Sequence, residues 1–233
     1  MGGRIWFVIA AAGRSERYGG SIPKPYLRIA GKTLLEHCLR TLISVKGVAG
    51  GVAVLNAGDR RFERLPRLLR SRVVAVAGGP TRASSVLNGL QALITADEED
   101  WVLVHDAARP CLPRKDVDAL LTTCRRDAVG GLLAVPVADT VKQADDDGRS
   151  LRSLPRERLW RAQTPQMFRL GPLVRALSQS LAAGFDATDE AAAMEKLGLR
   201  PLLVPGSPQN IKVTRPADLR FAEAAMRAAR RRK

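Results

Sequence analysis

Cysteine, histidine and aromatic residues are all scarce in this 233-residue sequence. Its three cysteines, Cys38, Cys111 and Cys124, form no C-x-x-C pair, and its histidines are His37 and His105 alone. A disulfide framework or a structural zinc site needs more of these residues at closer spacing, so the composition argues against both. His37 lies off the apolar stripe of a predicted helix, and we interpret it as a surface histidine.

Long apolar runs are also missing. Near the amino terminus one arginine precedes only about eight apolar residues, fewer than a secretory signal and its cleavage site require. No later run approaches the ~20 apolar residues of a membrane span. Trp6 stands where a myristoylation signal would have serine or threonine. We therefore expect a cytoplasmic protein without a membrane partner.

The two best-known phosphate-binding signatures do not occur either. A Walker loop would need a glycine five residues before Gly31-Lys32-Thr33, and Tyr26 occupies that position. No G-x-G-x-x-G follows a predicted strand. The sequence therefore supports neither a Walker-type ATPase nor a nicotinamide-dependent dehydrogenase.

Acidic residues are outnumbered, with 38 Lys and Arg against 23 Asp and Glu and a formal net charge of +15. Such an excess favours polyanionic partners, either nucleic acid or phosphorylated metabolites. Because interleaved aromatic residues and a recognisable reading motif are missing, a basic nucleic-acid-binding protein is only a remote alternative. We interpret the basic tail at 227–233 as a solvated helix end.

What the sequence does contain is a candidate polyphosphate loop at 7–27. An apolar strand, Phe7–Ala10, runs into small residues after which backbone amides can approach an anion closely. Arg17 and Lys24 add positive charge, and the prolines on either side of Lys24 restrict its position. The small residues are Ala11, Ala12 and Gly13.

A second glycine-rich turn, at 77–82, follows the short strand predicted at 73–76. Thr81 is predicted to cap a helix over 82–95. In open α/β sheets such a turn lies where ligands bind, so Arg82 and Ser85 are expected to reach a nucleotide. The alternative is that Ser84 and Ser85 only favour the first turn of the helix.

A third segment, at 105–110, follows the core strand predicted at 101–104. Asp106 is suited to hold a divalent metal that bridges phosphates, since Mg²⁺ takes one or two carboxylates plus phosphate oxygens. Arg109 is suited to clamp a phosphate. A local Asp–Arg pair in a turn is the alternative that the sequence leaves open.

Strands alternate with helices along the chain, which predicts a single α/β domain over 1–233. The expected fold is a three-layer α/β/α sandwich with a Rossmann-like, mostly parallel sheet. The segment at 161–168 is expected to lead into a helix over 172–183. Thr188 is the expected cap of the following helix, and Lys212 is expected at a strand end before the last helix.

The segment at about 137–161 departs from this pattern. Two polar, strand-like stretches, 137–143 and 151–161, flank a turn at 145–148 and carry too little apolar surface to pack on a core. We expect them to project as a β-arm that contacts a second subunit, which makes a homodimer the expected assembly.

Seven segments in this order resemble the 2-C-methyl-D-erythritol 4-phosphate cytidylyltransferase family of the non-mevalonate isoprenoid pathway. They lie at 11–27, 78–86, 104–110, 137–143, 162–168, 187–191 and 210–219. The resemblance implies that CTP and methylerythritol phosphate react, with Mg²⁺ or another divalent cation, to 4-diphosphocytidyl-2-C-methyl-D-erythritol and pyrophosphate. A cytidylyltransferase for another polyol phosphate, such as ribitol 5-phosphate, remains the nearest alternative.

The resemblance also implies roles for individual residues. Those expected to act in catalysis are Arg17, Lys24 and Lys212. Those expected at the nucleotide are Ala11, Ala12, Gly13, Arg17, Lys24, Gly79, Arg82, Ser85, Asp106 and Ala107. Those expected at the polyol phosphate are Asp106, Arg109, Thr164, Thr188 and Lys212, with Thr140 and Arg156 lent by the neighbouring subunit's arm. Asp106 is the expected metal ligand.

One position departs from the family pattern. The family can carry an aspartate where this sequence has Gln209, and a neutral amide is a poorer Mg²⁺ ligand than a carboxylate. Asp106 or the triphosphate itself would then hold the metal.

The implied chemistry also explains why no activated nucleophile is found. A phosphate monoester has its second pKa near ~6, so the attacking oxygen is already ionised at neutral pH. Catalysis would then depend on fixed cations that stabilise the developing charge.

Overall fold

Strands and helices alternate over most of the chain. The computed structural model describes residues 3–13, residue 18 and residues 22–230. The strands are β1 (Ile5–Ala10), β2 (Arg28–Ile29), β3 (Lys32–Thr33), β4 (Val48–Leu55), β5 (Val73–Ala77), β6 (Trp101–Asp106), β7 (Gly130–Pro136), β8 (Val141–Ala144), β9 (Ser150–Leu154), β10 (Trp160–Arg169) and β11 (Leu202–Pro205). The helices are α1 (Leu34–Ile43), α2 (Arg67–Arg70), α3 (Arg82–Gln91), α4 (Arg114–Cys124), α5 (Leu170–Ala182), α6 (Glu190–Lys196) and α7 (Pro216–Arg230).

A seven-stranded sheet in the order β11-β7-β10-β6-β1-β4-β5 forms the middle layer. The pairs β1–β4, β1–β6, β4–β5 and β7–β11 are parallel, whereas β10 runs antiparallel to both of its neighbours. The predicted mostly parallel sheet is therefore confirmed. Its antiparallel member was missed.

The segment at 161–168 was expected only to lead into a helix, and it is part of the central strand β10. Residues 163–168 are buried, so this strand lacks the alternation of apolar and polar residues that marks a half-exposed strand. Its polar members Gln163, Thr164 and Gln166 are buried because each has hydrogen-bond partners in the interior.

Helices cover both faces of the sheet. Successive residues of a strand point to opposite faces, so Phe7 packs in a cluster with Leu39 of α1, whereas Val8 packs in another with Val86 of α3. Helices α1, α2 and α4 contribute to the first cluster, and α3, α5 and α6 to the second. The predicted three-layer arrangement follows from these two cores.

The predicted cap at Thr81 is confirmed, Thr33 caps α1 in the same way, and Asp189 rather than Thr188 caps α6. Thr33 accepts a hydrogen bond from the Glu36 amide at 3.1 Å, and Thr81 forms a capping box with Ser84. The prediction that Thr188 caps α6 was wrong, since Asp189 occupies the cap and accepts from the Ala192 amide at 2.9 Å. A carboxylate at this position also interacts favourably with the positive end of the helix dipole.

The prediction that Lys212 ends a strand was also wrong. Residues 206–215, between β11 and α7, form an irregular loop. Its backbone groups bond individually to neighbouring elements, as in the bond from the Gly206 amide to the Ala134 carbonyl at 2.8 Å. Such a loop has no periodicity that a sequence pattern could reveal.

The predicted arm is present but shorter than expected. Strands β8 and β9 pair with each other in a separate two-stranded sheet, and most of their side chains are exposed. Trp160 and Arg161, expected in the arm, belong to β10 and pair with Pro136 and Val135 of the central sheet. The hairpin therefore projects from the end of the β7–β10 pair.

No helix in the described ranges is both long and apolar enough to cross a bilayer.

Buried leucines are expected to dominate the stability of this fold. Leu39 is fully buried in α1, whereas Leu68 in α2 is 76% exposed. Leu39→Ala should lower the free energy of unfolding by about 2–5 kcal/mol, because it leaves a cavity in the core. The same truncation in Leu68→Ala should change it by less than about 0.5 kcal/mol. Chemical denaturation of both variants checks this, and equal losses would contradict the assignment of the core.

Candidate active site

The carboxyl ends of four parallel strands meet at one cleft. Strands β1, β4, β5 and β6 end there, and the turns that follow them enclose a first cavity of about 440 Å³. Ligands of open α/β sheets bind at this position. The lining residues from these turns are Ala10, Ala11, Ala12, Gly13, Leu55, Asn56, Ala57, Gly78, Gly79, Pro80, Thr81, Asp106, Ala107 and Ala108, joined by Lys24, Pro25, Arg82, Ser85 and Lys212.

Small residues allow two of these turns to approach each other. A Cβ added at Gly78 would lie 2.4 Å from the Cβ of Ala12, so a larger residue would push the turns apart. The Ser85 hydroxyl accepts a hydrogen bond from the Gly79 amide at 3.0 Å and supports that turn from the first turn of α3. The backbone thus forms much of the wall of the first cavity.

Lys24 reaches the first cavity from a single turn of 3-10 helix, Lys24–Tyr26. Pro23 precedes this turn with an extended backbone, and Pro25 lies buried within it. The lysine is half-buried and forms part of the cavity wall. Arg17, the other cation expected here, lies outside the described residues.

A second cavity of about 180 Å³ adjoins the first. Arg82, Asp106 and Lys212 line both cavities. The other lining residues of the second cavity are Arg109, Ala162, Gln163, Thr164, Gln166, Thr188 and Asp189. Two ligands bound side by side would therefore meet at the three shared residues.

Asp106 is the centre of the charge cluster at this junction. Its Oδ1 accepts from the Arg82 Nε and Nη2 atoms at 3.2 and 3.1 Å, and its Oδ2 lies 2.7 Å from the Lys212 ammonium. Arg109 Nε is 4.0 Å from the same Oδ2. Arg82 also makes two hydrogen bonds, at 2.7 and 3.1 Å, to the fully buried carboxylate of Glu190. The sequence left open that Asp106 and Arg109 form only a local ion pair in a turn. In the structure this pair is the longest contact of a larger network.

These neighbours set the charge state of Asp106. Burial alone would raise the pKa of Asp106, but the charges of Arg82, Lys212 and Arg109 hold that pKa well below its usual range. Burial raises the pKa of Glu190, and Arg82 offsets this only in part. Asp106 is therefore ionised at neutral pH.

Arg109 is partly buried, and its guanidinium bonds mostly to backbone carbonyls. Its Nη1 donates to the Asn210 carbonyl at 2.9 Å and its Nη2 to the Ala162 carbonyl at 3.3 Å. Among the described residues its buried Nε has no hydrogen-bond partner. This nitrogen lies 4.0 Å from the Asp106 carboxylate, and Arg109 adds positive charge to the wall of the second cavity.

Thr164 reaches the cluster through an irregularity in β10. The register between β10 and β7 shifts between Ala162 and Gln166, so the intervening residues leave the ladder. The Thr164 hydroxyl oxygen then accepts from the Asp106 amide at 3.0 Å and lies 2.9 Å from His105 Nδ1. Burial lowers the pKa of His105 to about 4, so this imidazole is neutral at physiological pH.

Most of the residues expected at the site come together. Ala11, Ala12, Gly13, Lys24, Gly79, Arg82, Ser85, Asp106, Ala107 and Lys212 line the first cavity, and Asp106, Arg109, Thr164, Thr188 and Lys212 line the second. Thr140 and Arg156 line neither cavity. Both are exposed at the base of the arm, where Arg156 Nη1 donates to the Ala138 carbonyl at 2.6 Å. Gln209 is likewise exposed and outside both cavity walls.

Sequence reasoning missed several residues of the second cavity. Gln163 and Gln166 were overlooked because β10 was not recognised as a strand. Asp189 and Glu190 lie in the segment 187–191, whose resemblance to the family was noted without an electrostatic role. Arg82 and Glu190 lie far apart in the sequence, so the sequence does not indicate that their side chains are hydrogen-bonded.

The described residues contain no cluster of three or more histidine, cysteine, aspartate or glutamate side chains suited to a metal. Asp106 is the acidic residue that both cavities share. One carboxylate fits a Mg²⁺ ion whose other ligands are phosphate oxygens and water, which is how this metal commonly accompanies nucleotides. It does not fit a site built from protein ligands alone.

The arrangement suits chemistry between two anions. Arg82 and Lys212 line both cavities, and Lys24 lines the first. Burial raises the pKa of the Cys38 thiol, so this thiol is no thiolate nucleophile. Fixed positive charge in a partly desolvated cleft stabilises phosphate groups far better than charge in water.

Comparison with known proteins identifies relatives over almost the whole chain. A model of the 2-C-methyl-D-erythritol 4-phosphate cytidylyltransferase family matches residues 5–228. A protein of that name from Stenotrophomonas maltophilia (strain K279a) is 51% identical over 220 residues, which are 94% of this chain and 95% of the relative. Another from Xanthomonas campestris pv. campestris (strain 8004) is 50% identical over 222 residues, 94% of this chain and 83% of the relative.

Solved structures show the same fold. A crystal structure described as 4-diphosphocytidyl-2C-methyl-D-erythritol synthase superposes with a TM-score of 0.83 and 39% identity, and the match covers 97% of this chain and 99% of the other. The 2-C-methyl-D-erythritol 4-phosphate cytidylyltransferase from Thermus thermophilus gives 0.79 and 32%, over 97% and 100% of the two chains. The predicted α/β fold is confirmed by these likenesses.

The buried His105 predicts a dependence of stability on pH. Its folded pKa of about 4 lies below the unperturbed value of 6.5. Between these values the unfolded chain binds a proton that the folded chain does not, so the free energy of unfolding should rise with pH across this window. The full effect is about 3 kcal/mol.

Comparing His105→Asn with His37→Asn isolates this contribution. Denaturation at a series of pH values should show the rise in His37→Asn and a smaller one in His105→Asn. Glu190, whose raised pKa acts in the opposite direction, affects both variants equally. Identical pH profiles for the two variants would contradict a neutral, buried His105.

Proposed function

The chain belongs to the 2-C-methyl-D-erythritol 4-phosphate cytidylyltransferase family, and we propose that its two adjoining cavities are the site of that family's reaction. The enzyme transfers CMP from CTP to methylerythritol phosphate and releases pyrophosphate, a step of non-mevalonate isoprenoid synthesis. The observation that supports this location is the meeting of the cavities at Arg82, Asp106 and Lys212.

We assign CTP to the first cavity. Its walls include the turns after β1 and β5, whose small residues leave room for a nucleotide and its phosphates. Lys24 in the cavity wall neutralises the triphosphate, together with Arg17, which lies close to it in the sequence. Ser85 keeps the Gly79 turn in the conformation that lines the base and sugar.

We assign the polyol phosphate to the second cavity. Thr164, Gln163, Thr188 and Asp189 line it and offer acceptors and donors for the hydroxyl groups of a polyol. Arg109, which lines the same cavity, supplies positive charge for the phosphate. The smaller volume of this cavity suits the smaller of the two substrates.

In the reaction an oxygen of the polyol phosphate forms a bond to the α-phosphorus of CTP, and the bond to pyrophosphate breaks. The attacking oxygen is already ionised, so no general base is needed. Lys212 lies between the cavities and stabilises the charge on the α-phosphate, while Lys24 and Arg17 stabilise the pyrophosphate that leaves. Asp106 keeps the Lys212 ammonium in place through the 2.7 Å contact.

We also propose Mg²⁺ as the cofactor, with Asp106 as its ligand from the chain. The cation supplies positive charge to phosphate oxygens when it is bound. Gln209 takes no part in this, because it is exposed outside both cavity walls. The cytoplasm is the proposed location of the enzyme.

A homodimer is proposed on the basis of the arm. Its exposed hairpin buries little within its own chain, and Leu151 is 61% exposed. Thr140 and Arg156 at its base are available for a neighbouring subunit's second cavity. Two-fold symmetry would let each arm complete the other site.

The direct test of the function is incubation with CTP, Mg²⁺ and methylerythritol phosphate or ribitol 5-phosphate. A CDP-linked product and pyrophosphate should form rapidly with methylerythritol phosphate. Faster turnover of ribitol 5-phosphate would overturn the substrate assignment.

Two lysines are expected to carry much of the rate. Lys24→Ala and Lys212→Ala should each lower kcat on the order of 10²–10³-fold, because each removes a charge aimed at a reacting phosphate. Lys46→Ala, which changes an exposed lysine outside both cavity walls, is the matched control and should leave kcat unchanged. Near-normal turnover in both site variants would remove these lysines from the mechanism.

Mixed dimers test the proposed sharing of the arm. A chain with Arg156→Ala paired with a chain with Lys24→Ala should regain activity, because one of the two sites then contains every group. Pairing Lys24→Ala with Lys212→Ala is the matched control, since both lysines act within the same subunit and each site stays defective. Equal activity in the two kinds of verified heterodimer would contradict the shared site.

A further inference from the structure

A closed ring of hydrogen bonds joins the buried His105 to residues of the second cavity wall. The Asp106 amide donates to the Thr164 hydroxyl oxygen at 3.0 Å, and that oxygen lies 2.9 Å from His105 Nδ1. His105 Nε2 is 3.2 Å from the Arg109 carbonyl. The Arg109 guanidinium donates to the Asn210 carbonyl at 2.9 Å, and Asn210 Nδ2 donates to the Thr164 carbonyl at 2.8 Å, which closes the ring.

The partners of His105 fix the direction of these bonds. A carbonyl only accepts, so His105 Nε2 carries the proton in its bond to Arg109. The ring nitrogens face a hydroxyl and a carbonyl and the side chain is fully buried, which favours the neutral imidazole. Nδ1 is then an acceptor, and the Thr164 hydroxyl donates to it.

We propose that His105 is a positioning residue for cytidylyl transfer. His105 accepts a hydrogen bond from the Thr164 hydroxyl, and Thr164 in turn fixes the backbone at Asp106. Through Arg109 and Asn210, His105 also fixes the loop that carries Lys212. The inference rests on the proposed function of the same cleft. One histidine thus fixes the positions of Asp106 and Lys212, which meet between the two cavities.

The proposal changes the expected role of Thr164. Its hydroxyl proton is committed to His105 and one of its lone pairs to the Asp106 amide. It therefore cannot donate to the substrate phosphate, and its remaining lone pair can accept from a polyol hydroxyl.

The Lys212 loop is the element that most needs this support. It is irregular, and its described anchors include the bond from the Val213 amide to the Ala108 carbonyl at 2.8 Å and the contacts of the buried Asn210. A shift of about 1 Å in a positioned group can cost ~10²-fold in rate. Loss of the His105 acceptor would leave the Thr164 hydroxyl unsatisfied and loosen both sides of the site.

Variants of His105 separate positioning from substrate binding. His105→Leu removes both ring bonds and should lower kcat by roughly 10- to 100-fold, with a change of less than about threefold in KM for CTP. His105→Asn places an amide oxygen near the position of Nδ1 and should retain about ten times the kcat of the leucine variant. Wild-type turnover in His105→Leu would overturn the proposal.

Lys24→Ala and Lys212→Ala are measured beside these variants. If both lysine variants keep full activity, the proposed location of the reaction fails. If they lose activity while His105→Leu does not, only the role of His105 fails.

Nitrogen-15 NMR of histidine tests the ring without any change at His105. The chain has two histidines, so a His37→Gln sample assigns the spectrum. We expect the neutral Nε2–H form at neutral pH, with the Nδ1 resonance at the position of a hydrogen-bonded acceptor. Thr164→Val should move that resonance to the unbonded position, and Thr164→Ser should not. A protonated Nδ1, or no response to Thr164→Val, would overturn the proposal even if His105→Leu fails to fold.

Discussion

The contact between the Asp106 carboxylate and its cations is the interaction on which the rest of the site depends. A carboxylate in this buried position would be costly to ionise alone, and Arg82, Lys212 and Arg109 offset that cost. Glu190 balances Arg82 from the other side. In this network three cationic side chains contact two carboxylates, so each charge has a partner of opposite sign.

The fold brings these groups together from distant parts of the chain. Arg82 comes from the start of α3, Asp106 from the end of β6 and Lys212 from the loop after β11. The insertion of β10 between β6 and β7 matters most, because it places Thr164 against the Asp106 amide and supplies walls for the second cavity. Because β10 is antiparallel, it begins at the edge of the sheet where the parallel strands end, and in a purely parallel sheet no strand would begin there.

Much of this architecture was predictable from local patterns. Apolar runs and small residues located β1, β5, β6 and the turns that follow them, because strand ends and glycine-rich turns leave a signal within a few residues. Contacts between distant segments leave none, so the bond from Arg82 to Glu190 and the ring through His105 and Asn210 emerged only in the structure. Strand β10 was missed because its buried polar residues interrupt the apolar pattern of a central strand. Hydrogen bonds offset the cost of burying them, and these bonds leave no mark in the sequence.

CTP and the polyol phosphate are proposed to meet at Asp106, Arg82 and Lys212, and a crystal structure with CTP and Mg²⁺ tests this directly. We expect the triphosphate in the first cavity, with Lys24 in contact with its phosphate oxygens and the α-phosphate directed toward Lys212. A triphosphate bound elsewhere, away from Lys24 and Asp106, would contradict the proposed site.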